Sequence, residues 1–215
     1  MIKKQQLVKI SVIATLFLFL LVILAGCGVN TKGQKEAGEA RDYFKIGVIT
    51  SLSGPEVYGG NVTRRGYELW AETVNAKGGI KIGDKSYKVK LVYADDQSDP
   101  TAGADAVQRM ITSEKVDFIL GPYTSGVTMA VAPILEKYKI PMITGSAESP
   151  LIWRQKFKYT FGTIPAVDLT GSCPITTLAK DVQPAPRSIA IIGINDPFSK
   201  AVADAFKATA EKEGI

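Results

Sequence analysis

Four times in succession, a short apolar run closes on a small polar loop and gives way to a pattern of helical period. Residues 44–50 (FKIGVIT) form the first run, followed by a loop over 51–60. From Asn61, apolar or small residues recur at Val62, Gly66, Leu69, Trp70, Thr73 and Val74, as one face of a helix requires. Gly78-Gly79 is a helix stop. Tyr87, Val89, Leu91 and Tyr93 alternate with Lys88, Lys90 and Val92 in a second strand. A helix over 101–113, a strand over 116–120, a helix to about Lys137 with Pro133 inside it, and a strand over 140–144 follow. Strands that alternate with helices through short connections pair in parallel, with helices packed on the sheet faces. The chain therefore reads as an α/β fold.

In open sheets of this kind ligands bind outside the carboxyl ends of the strands. Three loops fall at that edge, 51–60, 121–128 and 144–150, and each is small, hydroxyl-bearing and glycine-containing. In the second, the strand stops at Gly121-Pro122 and a helix opens at Tyr123-Thr124-Ser125-Gly126. The first turn of a helix has unpaired N–H groups and a positive dipole end, which suit a carboxylate. Thr124, Ser125 and Thr128 add hydroxyls there, and Gly126 admits close approach to the backbone. An ordinary capped turn uses the same residues, so the ligand reading gains its weight from three such loops on one edge.

Asp95, Asp96 and Asp99 place three carboxylates in five residues. Asp99-Pro100 is an N-cap followed by proline at the first helical position, and no glycine stands where a calcium loop needs one. The cluster is read as capping and loop structure. The absence of histidine removes serine–histidine triads, cysteine–histidine pairs and histidine-ligated zinc. No nucleophile–base pair, phosphate loop or metal spacing is visible, so no enzyme and no cofactor is expected. Removing Lys3, Lys4 and Lys9 of the N-terminal leader from the formal charge of +5 leaves +2, too little to argue for nucleic acid.

Lys3 and Lys4 precede an apolar run over 10–25, short for a membrane span and suited to a secretory segment. Residues 29–41 are polar and read as a flexible tether. Cys27 and Cys173 could in principle pair, but Cys173 is expected to be a small buried apolar residue. Beyond the four repeats, 159–164 is an extended run, 167–182 is helix-like, 187–194 (RSIAIIGI) is a new strand, and 200–213 is a helix. One strand between two helices cannot bury its faces. This part is expected to be an incomplete second lobe with exposed apolar surface and weak or absent ligand binding.

The segments IGVITSLSGPEVYGG, NAKGGI, DDQSDP, GPYTSGVT, IPMITGSAESP and IIGINDPFSKA, in this order, resemble the extracellular solute-binding proteins of branched-chain amino-acid ABC transporters, the leucine-binding type of periplasmic-binding fold type I. Leu24-Ala25-Gly26-Cys27 resembles a lipobox. The resemblance implies a signal peptide over 1–26, a lipid-anchored tether over 27–43 with the lipid on Cys27, a Rossmann-like lobe 1 over 44–160, a crossover over 161–166 and a partial lobe 2 over 167–215. It further implies an extracytoplasmic receptor that closes on an amino acid, or a related amide or carboxylate, and hands it to an ABC permease and its ATPase. Ser125 would hold the ligand carboxylate. The Ser146 carbonyl would take the ammonium, with the Ala147 N–H supporting the carboxylate. Tyr58 would line the side-chain pocket, and Phe198 would cover the ligand from the second lobe. Glu148 departs from the family's threonine: pointed inward it would pair with a cation, pointed outward it is a solvated loop charge. A ligand-sensing domain that does not transport, or a fragment without function, are the alternatives.

Overall fold

A computed structural model describes residues 41–215. The expected signal peptide over 1–26, Cys27 and nearly all of the tether over 27–43 lie outside the described residues. The remainder forms a six-stranded sheet with the order β2-β3-β1-β4-β5-β6. Its strands are β1 (Tyr43–Thr50), β2 (Ile80–Ile82), β3 (Lys85–Asp95), β4 (Phe118–Leu120), β5 (Met142–Thr144) and β6 (Thr160–Gly162). All neighbours are parallel except β2, which runs antiparallel to β3. That antiparallel edge is absent from the sequence reading. It follows from the two-residue turn Gly83-Asp84, where Gly83 supplies the positive φ of a tight hairpin.

The helices are α1 (Val57–Ala76), α2 (Pro100–Thr112), α3 (Ser125–Tyr138), α4 (Pro150–Arg154), α5 (Val167–Thr170), α6 (Ser172–Asp181) and α7 (Pro197–Glu213). α2 and α3 cover one sheet face. There Ile49, Ile119 and Met142 pack with Val107, Met110, Val127, Val131 and Leu135 in the main core. On the other face α1 covers Ile46, Val89, Leu91 and Leu120 through Ala71 and Val74. Leu120 stands beside Ile143, and Ile143 beside Phe161, along the same row. The cover stops at Leu120: Ile143 and Phe161 are exposed. At its far end α1 is tied to β3 by Asn75, whose side chain donates to Val89 O and accepts from Val89 N.

Four expectations need correction. α1 begins at Val57 rather than Asn61, because Gly59 and Gly60 serve close packing inside the helix instead of prolonging the loop. A Cβ on Gly60 would run into the Ser51 carbonyl, and one on Gly59 into the Tyr123 ring. The helix expected over 167–182 breaks at Gly171, which packs closely against Ala205 of α7. Cys173 is exposed rather than buried, since α6 turns Ile175 inward and leaves Cys173 outside. Residues 187–194 form no strand. A strand exists only through its ladder, and no described segment lies beside this one to pair with it. Ile192 is accordingly 96% exposed. Leu169, Val182 and Ile194 are exposed too, in line with the apolar surface expected of this part.

Candidate ligand site at the carboxyl edge of the sheet

The chain leaves β1 for β3 on one side and reaches β4 on the other, so the carboxyl ends of β1 and β4 flank the point where the strand order reverses. The first loop, 51–56, is braced there by the acidic cluster. Asp95 Oδ1 accepts from the N–H of Leu52 and Ser53 at 2.9 and 3.2 Å, and its Oδ2 from the Ser53 hydroxyl at 2.6 Å. Burial pushes the Asp95 carboxyl up, but these bonds and the Gln97 N–H outweigh it and hold it below the usual carboxylate value. Asp96 is fully buried and accepts from the Ser51 hydroxyl at 2.7 Å and Ser98 N at 2.9 Å, both on Oδ1. Its Oδ2 has no partner among the described residues, and burial pushes this carboxyl up. Asp99 caps α2 by accepting from Ala102 N at 2.8 Å. Among the described residues no group of three or more acidic, cysteine or histidine side chains is arranged to hold a metal.

The second and third loops are joined by hydroxyls. Thr144 Oγ1 donates to Pro122 O at 2.9 Å and accepts from Ala147 N at 3.1 Å, all in buried surroundings. Ser146 Oγ donates to Tyr123 O at 3.0 Å. Ser125 Oγ, on a residue only 2% exposed, accepts from Glu148 N at 3.2 Å and Ser149 N at 3.1 Å. Of the three hydroxyls expected as donors at the start of α3, Thr124 accepts from Val127 N as the cap and Thr128 donates to Thr124 O. Both serve the helix itself. Ser125 retains its O–H as a donor, because its two contacts use the oxygen as acceptor. The N–H groups of Ser125 and Gly126 have no partner among the described residues.

The geometry gathers Ser125, Ser146, Ala147 and Glu148 into one network. The Ala147 N–H, expected toward a carboxylate, is donated to Thr144. The Glu148 carboxylate is half-buried and has no ion-pair or hydrogen-bond partner among the described residues. Tyr58 lies in the first turn of α1, 81% exposed, and the next residue packs against Tyr123 of the second loop. Phe198 is exposed in the first turn of α7. That turn reaches the site, for a Cβ on Gly126 would stand 3.8 Å from Pro197 Cδ and 3.9 Å from Pro100 Cγ.

Sequence reasoning missed Thr144, hidden at a strand end, and Tyr67. Tyr67 reaches from α1 toward Gly145, where a Cβ would lie 3.5 Å from its hydroxyl. Burial pushes the Tyr67 phenol up. The amides of Gly145 and Gly121 offset part of this, and the enclosed hydroxyl makes no hydrogen bond among the described residues. A groove of about 500 Å³ lies elsewhere, walled by Trp153 and Arg154 of α4, Gly162 of β6 and Leu169 of α5. Of the three loops it touches only Pro150, at the end of the third. The amides without partners among the described residues lie instead at the second loop, where α3 begins.

A parallel sheet with unpaired helix-start amides and hydroxyl loops at its reversal point defines a ligand-binding α/β lobe. The chain belongs to the periplasmic binding protein family, whose model matches residues 44–215. It is 30% identical over 170 residues to a Leu/Ile/Val-binding protein of Rhizobium johnstonii, covering 79% of this chain and 44% of the relative. With a Leu/Ile/Val/Thr-binding protein of Salmonella typhimurium it shares 30% over 193 residues, 90% of this chain and 50% of the relative. A leucine-binding protein from Thermotoga maritima superposes with a TM-score of 0.69 at 26% identity, covering 80% of this chain and 46% of that one. An ABC transporter solute-binding protein from R. palustris, solved with 4-hydroxybenzoate, gives 0.68 at 32% identity, covering 80% and 45%. The chain spans about half the length of the relatives it matches. The family is one of solute-binding proteins rather than enzymes.

Proposed function

We propose that the chain is the receptor of an ABC importer for a branched-chain or related amino acid. The observation that carries this is that the start of α3, whose Ser125 and Gly126 amides have no partner among the described residues, is joined through Ser125 Oγ to the amide of Glu148. An α-amino acid presents the complementary pair of charges. Its carboxylate suits the Ser125 and Gly126 amides and the Ser125 hydroxyl. Its ammonium suits the Ser146 carbonyl, with Glu148 as the compensating charge. Tyr58 and Phe198 then flank the side chain, and residues 167–215 act as part of a second lobe that swings against the first. On this reading a signal peptide over 1–26 is removed, Cys27 carries the lipid, residues 27–43 tether the receptor outside the cytoplasm, and the partners are a permease and its ATPase.

A second reading, a receptor for small aromatic carboxylates, is supported by the R. palustris relative solved with 4-hydroxybenzoate. Such a ligand has no ammonium for Glu148. Thermal unfolding with leucine, isoleucine, valine and 4-hydroxybenzoate separates the two. A ligand that binds only the folded state stabilises it by about 2.7 kcal/mol at one hundred times its dissociation constant. Under the amino-acid reading only the amino acids raise the midpoint, and Glu148→Gln diminishes the shift. A shift with the benzoate alone, undiminished by Glu148→Gln, supports the aromatic reading. No shift with any of them overturns both.

A further inference from the structure

Charge is sorted between the two edges of the sheet. The loops at the carboxyl ends of the strands, 51–60, 95–99, 121–128 and 144–150, contain no lysine or arginine and hold Glu56, Asp95, Asp96, Asp99 and Glu148. The turns that lead into the strands at the opposite, amino edge are rich in lysine. Residues 77–90, which follow α1 and make the β2–β3 hairpin, hold five lysines against one aspartate. β1 begins opposite Lys88, so the hairpin projects past β1 at this edge. Lys115, Lys139 and Lys156 precede β4, β5 and β6, each with a positive φ, 54°, 57° and 56°, where glycine fits best. A lysine just after a helix meets the negative end of its dipole, but Lys81 and Lys85 follow no helix. Lys77, Lys81, Lys85, Lys115, Lys139 and Lys156 are all exposed, and none has an acidic partner among the described residues. Of the acids at this edge, Glu114 pairs with Lys45, Asp117 and Glu136 accept from backbone amides, and Asp42 and Asp84 complete the set.

We propose that this lysine edge docks on the anionic headgroups of the bilayer that holds the anchor, with the ligand site facing away from the lipid. The docking rests on the tether proposed above. β1 starts at Tyr43, so residues 27–42 join the lobe at this same edge. An anchor at Cys27 keeps the edge within about 55 Å of the bilayer even at full extension. A lobe held so close meets the surface at high effective concentration, and weak charge contacts then suffice. Each lysine near an anionic surface strengthens the contact about fivefold. The loops of the other edge, with acids and no cation, are repelled by the same surface. That repulsion selects the orientation and leaves the ligand site open to solution.

Lysine acylation under sparse labelling, read residue by residue on the full chain reconstituted in vesicles, tests this. Vesicles of phosphatidylcholine alone are compared with vesicles of phosphatidylcholine and phosphatidylglycerol in equal parts, and flotation reports anchoring in both. The six lysines should lose reactivity severalfold in the mixed vesicles, while Lys200, Lys207 and Lys212 of α7 keep theirs. The protection should vanish in 1 M salt, where screening acts within about 3 Å. Lys81→Glu, Lys85→Glu and Lys139→Glu together should cut the docked share about a hundredfold and restore the reactivity of Lys77, Lys115 and Lys156. Lys200→Glu, Lys207→Glu and Lys212→Glu, the same change in net charge, should leave the protection intact. A chain that floats with both vesicles yet reacts alike in them overturns the docking and leaves the tether standing. Protection that extends equally to α7, or that survives the amino-edge reversals, also overturns it. A chain that floats with neither vesicle overturns the tether, and the docking with it.

Discussion

Replacing Thr144 by valine keeps the shape of the side chain and removes the hydroxyl that joins the second and third loops. The Pro122 carbonyl and the Ala147 N–H, both buried, then lose their partner together. A buried polar group left unsatisfied costs about 1–3 kcal/mol, so Thr144→Val should destabilise by roughly 2–5 kcal/mol. For a folded unit of this size each kcal/mol moves the midpoint by about 2–4 °C, giving a fall of roughly 5–15 °C in a circular-dichroism melt. Thr144→Ser is the control. It keeps the oxygen and loses one buried methyl, a cost of about 1 kcal/mol. Valine must therefore be the more damaging substitution. If valine melts at or above serine, the hydroxyl is not what holds the loops and the reasoning fails.

Asp95 and Asp96 should give opposite pH dependences. Burial holds the Asp96 carboxyl above its ordinary value, so its contribution is fully present below the ordinary carboxylate range and is lost as pH rises through the raised value. Asp96→Asn should therefore gain on the parent as pH rises in urea titrations. The Asp95 carboxyl is held low, so its contribution is present above the ordinary range and fades as pH falls through the lowered value. Asp95→Asn should be worse than the parent at neutral pH and equal to it in acid. Tyr67→Phe removes an enclosed hydroxyl that has no partner among the described residues, and its melting point should equal or exceed the parent's. A clear fall would reveal a partner for that hydroxyl. Gly60→Ala drives a methyl into the Ser51 carbonyl and should cost about 2 kcal/mol or more by denaturant titration, while Gly66→Ala, on an open helix face, should be neutral or stabilising.

That β1, β3, β4 and β5 run parallel was legible because apolar runs, loops and helical faces alternate along the chain. The Asp99-Pro100 cap was legible because capping is local chemistry. Where a residue's role depends on what lies across the fold, sequence was a poor guide. Gly59 and Gly60 looked like loop residues, yet they are small because Tyr123 and Ser51 press on α1. Residues 187–194 have every local mark of a strand and lack only a neighbour among the described residues. Ser125, Ser146 and Glu148 were found as members of loops at one edge. That Thr144 joins those loops could not be seen, since a threonine closing an apolar strand looks the same whether its hydroxyl is used or idle.

The joining of the second and third loops bears on how such a protein can change over generations. The amides of residues 147–149 are held by hydroxyls on Thr144 and Ser125 rather than by a sheet ladder. A substitution in either loop is thus felt in both. If Tyr58 and Phe198 flank the ligand as proposed, new preferences are more readily acquired there, outside this lattice, and changes at Ser125 or Thr144 call for a second substitution across the loops to accompany them.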